Sequence, residues 1–102
     1  MLSAIGSLVD ARLRFAGQAE QTVIEGPLVI LGLAGSVTLD GSHLHMSVSD
    51  PTGRVAGGHV CHGNIVRTTV EAVLVLPPEW SLTGEIDPAT GFTELFIRSH
   101  PD

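Results

Sequence analysis

HLHMSVSDPTGRVAGGHVCHG, residues 43–63, is the stretch on which the fold turns, and it holds four of the chain's five histidines. Its first run alternates. His43, His45, Ser47 and Ser49 point one way while Leu44, Met46 and Val48 point the other, the period of two expected of a half-buried strand. Asp50-Pro51-Thr52-Gly53 then predicts a turn, with Asp to cap it, Pro to preset φ, and Gly where φ must be positive. Residues 54–60 return antiparallel. Pairing through the turn sets Ser49 opposite Arg54 and His45 opposite Gly58. A one-residue bulge, which Gly57-Gly58 can host, sets His59 opposite His45 instead. In either register three imidazoles gather on one side of one hairpin.

Working outward, Asp40-Gly41 is a tight-turn dipeptide that leads into the hairpin. Before it, residues 28–39 form a nearly all-apolar run broken by Gly32 and Gly35, which reads as a buried strand with a bulge or a close backbone approach. Gly26-Pro27 punctuates the chain, and residues 21–25 can form a strand that ends there. From Ser7 a strand is predicted with Ala11, Leu13 and Phe15 on one face, and residues 2–6 read as a helix tail or loop. After the hairpin, residues 65–76 make the longest clean strand, apolar on both faces. That pattern predicts a central strand covered on both sides, with Arg67 and Glu71 buried and paired. Pro77-Pro78 ends it, Asp87-Pro88-Ala89-Thr90-Gly91 is a further turn, and residues 92–98 are extended. The class is mainly β, or α+β where helices accompany these strands.

The chain has 102 residues, enough for one domain with a modest core. Hydrophobic residues make up 43% and charged residues 16%, with mean hydropathy +0.32, a balance that points to surface buried against other copies. No apolar run is long enough to span a bilayer, and the opening residues show no signal-peptide pattern, so the cytoplasm is the expected compartment. Cys61 is the single cysteine, which rules out an internal disulfide and thiolate zinc knuckles. Net charge is −6, and all five basic residues are arginines. Sparse arginines on an acidic body argue against direct nucleic-acid contact and against an anionic membrane surface.

His43, His45 and His59 are the candidate metal ligands: an HxH on a strand puts both rings on one face, and a third ring from the neighbouring strand leaves one position open for zinc or another first-row divalent ion. The competing reading is three polar histidines at a subunit interface. Glu71 is a candidate general base or hydrogen-bond partner behind a ligating histidine, or else the ion-pair partner of Arg67 or Arg54. Arg54 and Arg67 read either as anion-recognition groups or as interface pairs. His62 reads as an extra ligand or, from its loop position, as a solvated residue, His100 as a tail residue, Cys61 as a small core residue and Trp80 as a packing anchor between subunits. Gly57-Gly58 lacks the pattern of a phosphate loop.

The hairpin and its flanks resemble the PPC domain (plants and prokaryotes conserved), a family labelled as DNA-binding. The resemblance is carried by Leu44-His45, Gly53-Arg54-Val55, Gly57-Gly58-His59, Thr68-Thr69-Val70-Glu71, Ile5-Gly6-Ser7-Leu8, the Arg12-Leu13-Arg14-Phe15 strand, and the run from Asp87 through Leu95. It implies a compact α+β fold with a mostly antiparallel sheet, assembled as a homotrimer. It also implies similarity to the fold of acetolactate decarboxylase, whose metal sits on an HxH…H set that falls on His43, His45 and His59. Family members open with a strand and helix ahead of the IGSL-like stretch, so the resemblance implies a start further upstream or a sheet short of that element. Plant members carry an AT-hook that grips DNA, and no RGRP-like hook occurs here; they also have Arg-Phe-Glu where this chain reads Pro27-Leu28-Val29. Two functions follow as expectations. One is a homotrimeric module acting through protein contacts in a regulatory setting. The other is a metal-dependent enzyme acting on a small carbonyl-containing or oxo-acid substrate, with Glu71 or Arg67 handling protons or charge.

Overall fold

β1 (Leu2–Arg14) is the strand around which the others assemble. β2 (Thr22–Thr38) runs antiparallel along one of its edges, while β4 (Val55–Val60) and β5 (Ile65–Leu74) share the other. β4 takes the end of that edge, at Leu13 and Arg14, and β5 takes residues 2–10. β3 (Gly41–Ser49) pairs with both β2 and β4, so the ladders run β1–β2–β3–β4 and return to β1. β6 (Trp80–Ile86) and β7 (Thr93–Ser99) form a separate antiparallel hairpin. The structure is a computed structural model that describes residues 1–76, 78 and 80–99. Every element among these residues is a strand: the mainly antiparallel β expectation holds, and no helix of an α+β fold occurs among them. Among the described residues no helix is long and apolar enough to cross a membrane.

The closed cycle surrounds the core of Leu8, Ala11, Leu13, Leu28, Ile30, Met46 and Val48. On β1 the inward residues are Ala4 and Leu8, then Ala11 and Leu13, a change of phase from even to odd numbers. The cause is a bulge. Between the pairs Leu8–Val66 and Asp10–Ile65, β1 advances two residues while β5 advances one. At the same place on the other edge, Val9 alone faces Gly26 and Pro27. A proline has no N–H to give a ladder, so a bulge is where a strand tolerates it. The punctuation expected at Gly26-Pro27 is therefore absorbed inside one continuous strand.

Three expectations need correction. Residues 2–6 are strand, not loop or helix tail, because they gain ladder partners on both edges, from β2 and β5. The apolar run of β2 is buried on one face only: Leu28 and Ile30 are inside, while Val29 and Leu31 stay about half exposed, at 49% and 50%. β5 is not a covered central strand. It is a sheet edge, paired among the described residues with β1 alone and exposed along its whole length. Arg67 and Glu71 are accordingly exposed, with no ion-pair partner among the described residues. The both-faces-apolar pattern is real, but no element among the described residues covers it.

Candidate metal centre

β3 alternates as its sequence requires, turning Met46 and Val48 into the core and leaving His43 and His45 on the outer face of the cycle. The turn that follows is held by one carboxylate: Asp50 Oδ1 accepts from Thr52 N at 2.9 Å, Thr52 Oγ1 at 2.7 Å and Arg54 N at 3.0 Å. Those donors hold the Asp50 carboxyl below its usual range, with the Thr52 hydroxyl the main cause. Gly53 follows at φ 84°, and the ladder resumes with Ser49 opposite Val55. His45 consequently stands opposite His59. The extra residue that sets this register lies in the turn at Gly53, not at Gly57-Gly58, where the ladder runs unbroken. Gly58 has a different task. A Cβ there would sit 2.7 Å from the Arg14 carbonyl oxygen, so only glycine lets β4 come close enough to β1 to close the cycle.

The three rings meet without stacking. Centroids of His43 and His45 are 5.0 Å apart and edge-on, and those of His59 lie 5.5 and 5.7 Å from them. One ring nitrogen from each lies within 4.8 Å of the others. A tetrahedral ion bonded at about 2.0–2.1 Å holds its ligand nitrogens about 3.3–3.4 Å apart, a closure that side-chain rotation supplies. The donor set suits zinc or a similar first-row ion: three imidazoles, no thiolate, one position left for water or ligand. Burial lowers the His59 pKa below 6.5, and the charges of Arg14, His43 and His45 push it the same way. The neutral ring, which is the ligating form, is thereby favoured.

The trio lines a cleft of about 810 Å³ shared with Arg14, Asp40 and Glu94. β7 contributes Glu94 to one wall, and the hairpin it belongs to is tied to the β2–β3 turn by Gly84 N donating to Asp40 Oδ2 at 3.0 Å. Arg14 comes from β1, where it pairs directly with His59 of β4. Nothing in the sequence marked these three residues as part of the site, since only the closing of the cycle and the docking of the hairpin bring them to the histidines. Other candidates lie elsewhere. Arg67 and Glu71 are on β5, and neither lines the cleft. Arg54 and His62 are exposed in turns. Cys61 is half-buried, its Sγ 3.7 Å from the His59 carbonyl oxygen. Trp80 opens β6 and is 47% exposed, and His100 lies outside the described residues.

Comparison with known proteins places this arrangement in a family. The chain is 46% identical over 98 residues to the bifunctional protein GlmU of Synechococcus sp. (strain JA-3-3Ab), and 45% identical over 98 residues to that of strain JA-2-3B'a(2-13). It spans 16% of the length of each, and 96% of its own. Among solved structures, a hypothetical protein from Salmonella cholerae-suis superposes with TM-score 0.84 at 37% identity, over 98% of this chain and 75% of that one. A candidate DNA-binding protein from Bacteroides thetaiotaomicron shares the fold at TM-score 0.80 and 20% identity, over 93% of this chain and 70% of that one. The Plants and Prokaryotes Conserved (PCC) domain model matches residues 1–76, which include all seven core residues and all three histidines, and the chain belongs to that family.

Proposed function

We propose that this chain is a self-associating PCC module, a homotrimer that acts through protein contacts in a regulatory setting and does not grip DNA directly. The carrying observation is β5. Val73 is 69% exposed and Leu74 56%, on a strand whose outer edge has no partner among the described residues. An open apolar edge is a template for association unless something covers it. The radius of gyration supports the same reading: 15.2 Å, against about 13 Å for a compact chain of this size. The GlmU relatives, in which the matching segment is a small part of a longer protein, fit a module that serves larger assemblies. A net charge of −6 with no lysine argues against phosphate contact. A compartment that keeps a lone cysteine reduced, such as the cytoplasm, suits the chain. Light scattering tests the reading. A mass of three chains is expected, and a monomer at micromolar concentration would overturn it. A gel shift of free duplex DNA at physiological salt, with a steep salt slope, would overturn the second half.

The convergence of three imidazoles supports a second reading, a metal-dependent site acting on a small carbonyl-containing or oxo-acid ligand. His43, His45 and His59 would hold zinc or another first-row divalent ion. When bound, such an ion supplies Lewis acidity at its open position, polarising a carbonyl or lowering the pKa of water. The chain's own residues do the rest. The β6–β7 hairpin narrows access to the trio, and Asp40 and Glu94 are the carboxylates placed to take or give a proton there, in place of Glu71 and Arg67. Elemental analysis of untagged, chelator-free protein tests this. About one ion per chain is expected, and none after incubation with excess zinc would return the histidines to a structural role.

A further inference from the structure

We infer that Arg14 anchors a small carboxylate ligand in the histidine cleft, the class being short monocarboxylates with a carbonyl or hydroxyl oxygen on the adjacent carbon. The inference rests on the reading of that cleft as a ligand site and adds the group that would select the ligand.

Arg14 is the last residue of β1, half-buried, and lines the cleft opposite His59. Among the described residues its side chain makes one hydrogen bond, from Nη1 to the Gln18 carbonyl oxygen at 3.3 Å, and no ion pair. Arg12 and Arg98 differ, since each holds a carboxylate, of Asp10 and Glu85 respectively. A guanidinium stays charged at any working pH and presents a fork of N–H donors matched to a carboxylate. Half-buried beside three imidazoles, with most of its donors unused, it lacks an anion that a ligand would supply.

Charge narrows the class. Asp40 and Glu94 line the same cleft, but Asp40 accepts from Gly84 N at 3.0 Å and Glu94 accepts weakly from Thr90 Oγ1 at 3.4 Å. Neither neutralises Arg14, and both repel a doubly charged phosphate, so a monoanion fits best. Distance narrows it further. Cross-strand neighbours such as Arg14 and His59 have Cβ atoms about 4.5–5.5 Å apart, so one short molecule can reach both. A carboxylate on Arg14 would then carry its neighbouring oxygen toward the trio.

The experiment titrates pyruvate into the full chain by calorimetry, with and without zinc, beside Arg14→Gln and Arg14→Lys. Acetate and inorganic phosphate serve as comparison ligands. Pyruvate should bind more tightly than either. Arg14→Gln should weaken it by about 10–100-fold, as expected for a lost charge-assisted hydrogen bond, and leave zinc uptake unchanged. Arg14→Lys keeps the charge and the stem but loses the fork, so a several-fold loss is expected even where the glutamine variant folds poorly. Equal pyruvate affinity in Arg14→Lys and wild type, no pyruvate binding by the wild type, or tighter binding of phosphate would each overturn the inference. The two readings fail separately. Arg14-dependent pyruvate binding without zinc uptake sinks the metal site alone, and zinc uptake with Arg14-independent binding sinks the anchor alone.

Discussion

His45 stands directly opposite His59 on the β3–β4 ladder, and Gly53 puts it there by adding one residue to the turn. At φ 84° that position favours glycine, because a Cβ in the left-handed region costs about 1–2 kcal/mol. Gly53→Ala should therefore lose about that much stability in a urea unfolding titration. Inserting one alanine between Val55 and Ala56 should do more, moving the rest of β4 one step along the ladder so that Gly58 stands opposite His45, and abolishing zinc uptake. Unchanged zinc affinity in the insertion variant would show that the ladder register does not assemble the trio.

Zinc affinity should fall as pH is lowered from 8 to 5, because a protonated imidazole cannot ligate. The His59 pKa lies below 6.5, so this ring resists protonation longer than an ordinary histidine. The unfolded chain takes up that proton first, so the folded state loses stability as pH falls from 6.5 toward the lowered value, and below it the proton competes with the ion directly. His45→Ala should bind no stoichiometric zinc at any pH while keeping its far-ultraviolet circular dichroism. Metal retained in that variant would exclude His45 as a ligand.

On β5 the expectation concerns assembly and not folding. Val73 is 69% exposed in the single chain, so Val73→Glu should change the stability of an isolated chain by no more than about 0.5 kcal/mol. A charge placed on a buried subunit interface has a far larger cost. Sedimentation velocity should show a smaller species for the variant than for the wild type. An unchanged sedimentation coefficient would move the interface away from β5.

The β6–β7 hairpin should lose stability in acid, because its Arg98–Glu85 pair needs an ionised carboxylate. Arg98 and the Thr83 hydroxyl hold the Glu85 carboxyl down at about 2, from an ordinary 4.5. A carboxylate with a depressed pKa adds stability that is fully present above 4.5 and lost as pH falls toward 2. The pair is exposed, so salt should weaken the effect. Trp80, the single tryptophan, opens β6 and reports on it. Its fluorescence should change between pH 4.5 and 2 in the wild type, and Glu85→Gln should already show the acid-form signal at pH 6. Identical curves for the two would remove the ion pair from the hairpin's stability.

Much of the site was readable from local pattern. Alternation over residues 43–49 and the Asp-Pro-Thr-Gly turn act within a few bonds, so they place His43 and His45 on one face and bring β4 back beside β3 in any fold that keeps them. The apolar surplus of residues 65–76 was equally plain, but its meaning was not. Sequence shows that a strand is apolar on both faces; whether a sheet, a second copy or solvent lies against it depends on elements that are distant or outside the chain. Residues 2–6 became strand for the same reason, through partners contributed by β2 and β5. Arg14 and His59 are 45 positions apart and meet only because β4 closes on β1 at Gly58. The chain's local chemistry determined three histidines on a hairpin. The closing of the strand cycle, which pairs segments no short window contains, decided that a cation would face them.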